Sequence, residues 1–408
     1  MTTFFILIIY AAFISLGLPD SLLGTAWPLM QTDFHVSTDS AGIISMIIAG
    51  GTIISSFFSS KIIRRIGTGN VTFISILMTA ISLVGFHFAP SFFWLPIFAI
   101  PLGLGAGSID AGLNEFVAEH YESRHMSWLH CFWGVGAMAG PILLSQLLAG
   151  GQNWRSVYQI VSIIQLTLAV VIFLTLPMWK KVARRDALQK EAFPLESIEK
   201  TNPKKRSGLK EVFRLKGVVA VLLSVLFYCG TEQTMMLWGA TYLIRIHEIR
   251  VSTAAAWISL FLGGITVGRF LSGFVTLRID NIRIIRIGQI TIMIGLLVII
   301  LPLPEFFLPA GILLAGLGCA PIYPCILHET PVRFGKNQSQ EIMGIQMAAA
   351  YTGSTFFPPI IGFIGARTSM VILPFFLFLF TSIMLLSSER VNHLTRETEI
   401  RNMDKLLE

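Results

Sequence analysis

The residues able to do chemistry in this sequence stand inside long apolar runs, where each ionisable group costs about several kcal/mol to hold and is therefore a functional candidate. Asp110 and Asn114 close the run Gly103-Leu104-Gly105-Ala106-Gly107-Ser108-Ile109-Asp110-Ala111-Gly112-Leu113-Asn114. Four residues apart, they share one face of a helix. A carboxylate that takes and loses a proton, beside an amide that bonds hydroxyls, suits coupled movement of a polar solute. Asp20 lies in Gly17-Leu18-Pro19-Asp20-Ser21-Leu22-Leu23-Gly24, where proline frees a carbonyl and glycine permits close packing. That setting turns the carboxylate toward a bundle interior. His130 and Trp133, three apart in Trp128-Leu129-His130-Cys131-Phe132-Trp133, put a hydrogen-bonding ring beside a flat aromatic surface. Such a platform suits a sugar, with its apolar ring faces and hydroxyl edges; the bland reading of His130 is a structural histidine. Glu232 and Gln233, with Trp238 one to two turns on, describe another wet surface, which Tyr323 and Gln346 complete from later in the chain.

Of the 408 residues, 54% are hydrophobic and only 13% are charged, against about 25% charged in an average soluble chain. So few charges cannot cover a water-exposed surface. A helical span takes about 20 apolar residues, and twelve such runs can be read, near 4–29, 40–60, 70–89, 93–118, 127–149, 155–178, 217–244, 253–277, 284–303, 306–328, 340–364 and 369–387. The first is too long for the apolar part of a signal peptide and lacks a basic leader, so it is expected to remain as a span. The reading is an all-α integral membrane protein. It divides into a six-helix half over 1–178, a cytoplasmic linker over 179–216, a second six-helix half over 217–388 and a tail over 389–408.

Lysine and arginine set the expected orientation. With the N-terminus inside, 26 of the 30 basic residues fall on the cytoplasmic side, and only Arg155, Arg245, Arg250 and Arg367 on the other. Both termini are thus expected in the cytoplasm, and the net charge of +7 reflects topology, with no nucleic-acid partner implied. The linker mixes twelve basic residues with Glu and Asp. It reads as a solvated segment against anionic lipid, with a regulatory role as the alternative.

A shift of 213 positions brings Gly50-Gly51 onto Gly263-Gly264, Phe57 onto Phe270, Arg65 onto Arg278, and Gly103-Leu104-Gly105 onto Gly316-Leu317-Gly318. Two similarly oriented six-span halves are the parallel repeat of major facilitator transporters. Arg65, Arg269 and Arg278 stand in stretches that resemble that superfamily's basic gating loop, the other reading being simple membrane anchoring. In order along the chain come Asp20 before Leu22-Leu23, Asp110 with Asn114, His130 in a Leu-x-x-Phe-x-x-x-Gly setting, Gly230 through Trp238 to Tyr242, Gly268-Arg269-Phe270 and Tyr323-Pro324. Together these resemble the fucose–galactose–glucose:proton symporter family.

The resemblance implies a substrate site between the halves near mid-membrane. Asp20 and Asp110 would be its proton-linked carboxylates, with Asn114, His130, Trp133 and Gln233 lining the sugar site. Aspartate at 110 replaces that family's fucose-permease glutamate, and His130 and Trp133 replace amides, which points to a hexose more broadly than to fucose. The expected activity is proton-coupled symport of a hexose or deoxyhexose across the plasma membrane by a monomer in contact with lipid, with no cofactor beyond the coupling ion. Sodium coupling and proton-driven drug efflux are the alternatives. No HExxH, GxSxG, P-loop or Rossmann glycine pattern is present, so no enzyme is expected.

Overall fold

In the computed structural model, residues 2–121, 123–192, 209–276 and 278–407 are described. They form helices α1 Thr2–Asp20, α2 Leu22–Asp33, α3 Ser40–Ile66, α4 Thr68–Phe88, α5 Trp94–His120, α6 Ser123–Ala149, α7 Arg155–Ala192 and the short α8 Leu209–Arg214. After these come α9 Val218–His247, α10 Val251–Val275, α11 Asn281–Ile300, α12 Leu308–Cys319, α13 Ile322–Phe334, α14 Lys336–Arg367 and α15 Ile372–Leu407. Helices suit this composition because in hydrocarbon every backbone polar group must be satisfied within its own segment. Among the described residues twelve spans are long and apolar enough to cross a membrane, and each holds one apolar run read from the sequence.

Two spans are broken. Span one is α1 plus α2, interrupted at Ser21 directly after Pro19 and Asp20. Span ten is α12 plus α13, interrupted at Ala320 and Pro321, where proline supplies no N–H to continue the ladder. Glycines at positive φ, Gly67 (82°) and Gly335 (79°), make one-residue connections from α3 to α4 and from α13 to α14. A side chain at those angles would be strained. Span six covers Arg155–Trp179, close to the expected end at 178, and its helix α7 runs on beyond the span to Ala192. Much of the expected linker, 193–208, lies outside the described residues.

The chain divides into two compact units. The first gathers Met1–Leu16, Ile47–Trp133 and Arg155–Gly208. Its core joins Phe5, Ile9 and Phe13 of α1 to Ile109, Leu113 and Phe116 of α5, Leu129 of α6 and Ile172 and Trp179 of α7. A fully buried glutamine crosses it: Gln165 donates to the Ser15 carbonyl at 2.6 Å and accepts from Thr79 at 3.4 Å.

The second unit gathers Gly17–Met46, Gly134–Trp154 and Leu209–Glu408. Here Gln289 of α11 donates to Ser388 of α15 at 2.8 Å, and Ser388 pairs with Ser224 of α9 at 2.9 Å. Arg286 grips Glu389 with two nitrogens, at 2.6 and 2.7 Å. The later parts of spans one and five and the start of span two belong to this unit. Ser21 donates to the Ala137 carbonyl at 2.7 Å, Arg245 to Gln31 at 3.2 Å, and Arg367 to Asp39 at 3.3 Å. A β-carbon on Gly24 would collide with the Met236 carbonyl.

The internal repeat is legible in atomic contacts. In the first unit a β-carbon on Gly51 would stand 3.0 Å from the Leu104 nitrogen, and one on Gly103 would collide with the Ile48 carbonyl. In the second, Gly264 stands 2.9 Å on the same measure from the Leu317 nitrogen, and Gly316 meets the Phe261 carbonyl. Each pair is related by the 213-residue shift. The small residues of spans four and ten let neighbouring backbones touch, the usual route to close helix packing in lipid.

Candidate functional site

In the first unit, unbroken α5 presents Asp110 and Asn114 on one face, as their spacing requires. The Asn114 amide nitrogen donates to Asp110 Oδ1 at 2.9 Å, and both side chains are half-buried. Asn114 Oδ1 is buried and, among the described residues, has no hydrogen-bond donor. The pair therefore offers a desolvated acceptor beside a carboxylate whose charge one proton removes. His130 is exposed and meets Phe13 edge-on at 6.1 Å, while Trp133 is half-buried against the core of the unit. The two lie on one helix stretch as expected, but only His130 is presented outward.

Sequence reading missed a neighbouring group. Tyr10 of α1 hydrogen-bonds His125 Nδ1 at 2.6 Å and stacks on Phe132 at 4.5 Å, tying span one to span five. Neither residue announced itself, because a tyrosine in an apolar span and a histidine in a loop are common. Arg65 is exposed at the end of α3.

In the second unit, Asp20 sits at the break in span one and is exposed, not turned into packed protein. Glu232 is the deepest charged side chain: among the described residues it alone of Asp, Glu, Lys and Arg is classed as buried, at 6% exposure. It pairs with Arg269 at 3.5 Å. Sequence reading gave these two separate tasks, solute contact and gating, and the fold joins them. Tyr228 and Tyr323 stack at 6.0 Å beside this pair, and the Tyr323 hydroxyl reaches Met347 Sδ at 2.7 Å.

Gln233 is half-buried on α9. Trp238 departs from its expected solute-facing place: it is fully buried, its indole N–H donates to the Pro358 carbonyl at 2.6 Å, and its ring packs over Gly362. Gln346 is likewise fully buried, held by Thr330 through bonds of 3.0 and 3.1 Å. Both work in helix packing, which a sequence cannot separate from solute contact because either use calls for a polar atom in an apolar run. Arg278 is exposed just beyond α10, and Asp280 caps α11 by accepting from the Arg283 N–H at 2.8 Å.

Twelve spans and two similarly packed sets of close helix contacts make a multi-pass membrane protein with an internal repeat. Residues 9–328 match the Major Facilitator Superfamily, and the chain belongs to it. It is 23% identical over 363 residues to the glucose/mannose transporter GlcP of Bacillus subtilis, covering 86% of each chain. It is 22% identical over 377 residues to a putative glucose/galactose transporter of Helicobacter pylori, again covering 86% of each. Both agree with the resemblance read from the motifs. In fold it is similar to the inward-facing structure of a bacterial homologue of the lysosomal transporter Spinster, with a TM-score of 0.71, 15% identity, and coverage of 96% of this chain and 98% of that one.

Proposed function

We propose that this protein is a proton-coupled symporter of a sugar, working by alternating access in the plasma membrane with both termini in the cytoplasm. The observation that carries the reading is the Asp110–Asn114 pair, a carboxylate hydrogen-bonded at 2.9 Å to an amide whose buried oxygen has no hydrogen-bond donor among the described residues. In the loaded state a solute hydroxyl donates to Asn114 Oδ1, His130 bonds a second hydroxyl and Trp133 lies under the ring. Protonation of Asp110 removes the charge that would otherwise cross the low-dielectric core at high cost. Release of that proton inside restores it. The similarity to transporters named for glucose, mannose and galactose supports a hexose as the solute class.

Purified protein in proteoliposomes, given a panel of labelled hexoses and deoxyhexoses with and without an acid-outside gradient, tests the reading. Accumulation only with the gradient is the expected result. Uptake that ignores pH and follows sodium would replace the coupling ion, and gradient-driven extrusion of drugs with no sugar movement would sink the proposal.

A further inference from the structure

Span ten ends in a half-helix with a break on each side. α13 follows the interruption at Ala320 and Pro321 and closes at Gly335, whose φ of 79° starts α14. Its far end lies on the side that the charge distribution assigns to the cytoplasm, and polar side chains hold it there. Arg333 donates to Asn392 of α15 at 2.8 Å and to Glu329 of its own helix at 3.5 Å. From α11, the Asn281 amide nitrogen donates to Glu329 Oε1 at 2.9 Å and meets His328 Nδ1 at 3.2 Å. His328 is exposed and, with Leu327, Val332 and Met343, lines a cavity of about 590 Å³.

The direction of the His328 bond is fixed by its neighbour. An ionised Glu329 only accepts, so the Asn281 amide turns its nitrogen to that side, and the same nitrogen faces His328. Nδ1 must therefore accept, which only a neutral imidazole can do, because both ring nitrogens of the charged form are donors. Histidine is the side chain whose ordinary change of charge falls near neutrality. A proton on Nδ1 sets donor against donor at Asn281 and adds a positive charge beside the Glu329–Arg333 pair. We propose that His328 is a regulatory proton site, which loosens α13 from α11 when the cytoplasm turns acid and so slows the carrier. The tied arrangement holds no proton on Nδ1, so protonation lowers its population, and a cycle that passes through it slows. The described charged groups around the site are Glu329 and Arg333 on α13, with Asp280 and Arg283 beside Asn281 on α11, paired with each other at 3.0 Å. From α14, Met343 joins the same wall. A carrier that admits a proton with each solute acidifies the compartment it fills, and a site facing that compartment limits the load. The inference rests in this respect on the symport reading and its topology.

Labelled glucose exchange by the full-length protein in proteoliposomes, at equal pH on both sides, tests the site. H328N keeps an acceptor for Asn281 and takes no proton. It is expected to match wild type at about pH 7.5 and to exceed it about threefold at about pH 5.5, the factor that one modest hydrogen bond carries. Asp110 is present in both proteins, so its own response to pH cancels in the ratio. In an N281A background the same His328→Asn change is expected to make no difference at either pH, because the bond it preserves is gone. H328N tracking wild type at both values, or the gap persisting without Asn281, overturns the proposal and leaves symport standing. If glucose does not exchange, the sugar reading falls on its own. Spin labels then decide the site, placed at Ile287 of α11 and Val332 of α13, both exposed, with the four native cysteines replaced by serine. A label separation that changes with acid in the His328 protein and not in H328N supports it. A separation indifferent to pH, or one that moves equally in both proteins, removes it.

Discussion

At the scale of single residues, the deciding quantity is what burial does to a polar group that has too few partners. Among the described residues Asp110 accepts one hydrogen bond, from the Asn114 amide, and that bond favours its ionised form. Asp110→Asn mimics the protonated side chain at nearly the same volume. It is expected to abolish uphill accumulation driven by a pH gradient while keeping solute exchange between compartments of equal pH. Accumulation by that variant, with normal proton uptake, would make Asp110 a structural residue. His130→Ala and Trp133→Ala each remove one proposed solute contact from span five. Each should weaken solute binding by about 0.5–1.5 kcal/mol, read by calorimetry on folded protein in detergent. Trp133→Ala carries an added stability loss that His130→Ala does not, because Trp133 packs against the core and His130 is exposed. Equal, unchanged affinities in both variants would remove span five from the site.

At the scale of helices, the repeat is built from backbone contact. Gly51 against Leu104 and Gly264 against Leu317 leave no room for a side chain, since the obstructing atoms are backbone and cannot turn aside. Gly264→Val should therefore lower the melting temperature of the purified protein and impair folding far more than Gly50→Val, because a β-carbon on Gly50 meets nothing within 4 Å. A comparable loss at both positions would show that helix propensity, not approach, sets the cost. Arg278 belongs to this scale too. Exposed beyond α10, it is expected to act on the equilibrium between conformations. Arg278→Ala should change transport rate and cysteine accessibility at the two faces with solute affinity kept, and identical labelling with normal rates would leave it as an anchor alone.

At the scale of the whole molecule, large apolar side chains stand exposed on the spans, Phe57, Phe88 and Leu386 each at least 70% exposed, as lipid contact demands. The distribution of lysine and arginine sets the sidedness expected of it. A single cysteine introduced near the N-terminus and another in the tail should react with an impermeant maleimide only after the cells are opened, whereas one placed at Ser91, between spans three and four, should react in intact cells. The reverse pattern would invert the topology and with it the direction assigned to the proton gradient.

The sequence by itself determined how many membrane spans there are, where each lies to within a few residues, and that the halves repeat, because these follow from local quantities: apolar run length, charge count and glycine spacing. It also placed Asp110 and Asn114 on one face, since helix geometry alone brings residues four apart together. Tertiary structure decided what no local rule reaches. It joined Glu232 to Arg269 across spans seven and eight, 37 residues apart, and Tyr10 to His125, 115 apart. It turned Trp238 and Gln346 into packing residues by supplying Pro358 and Thr330 as their partners. A polar side chain in an apolar segment must find a partner, and whether that partner is another helix or a passing solute depends on the neighbour opposite, which only the fold selects.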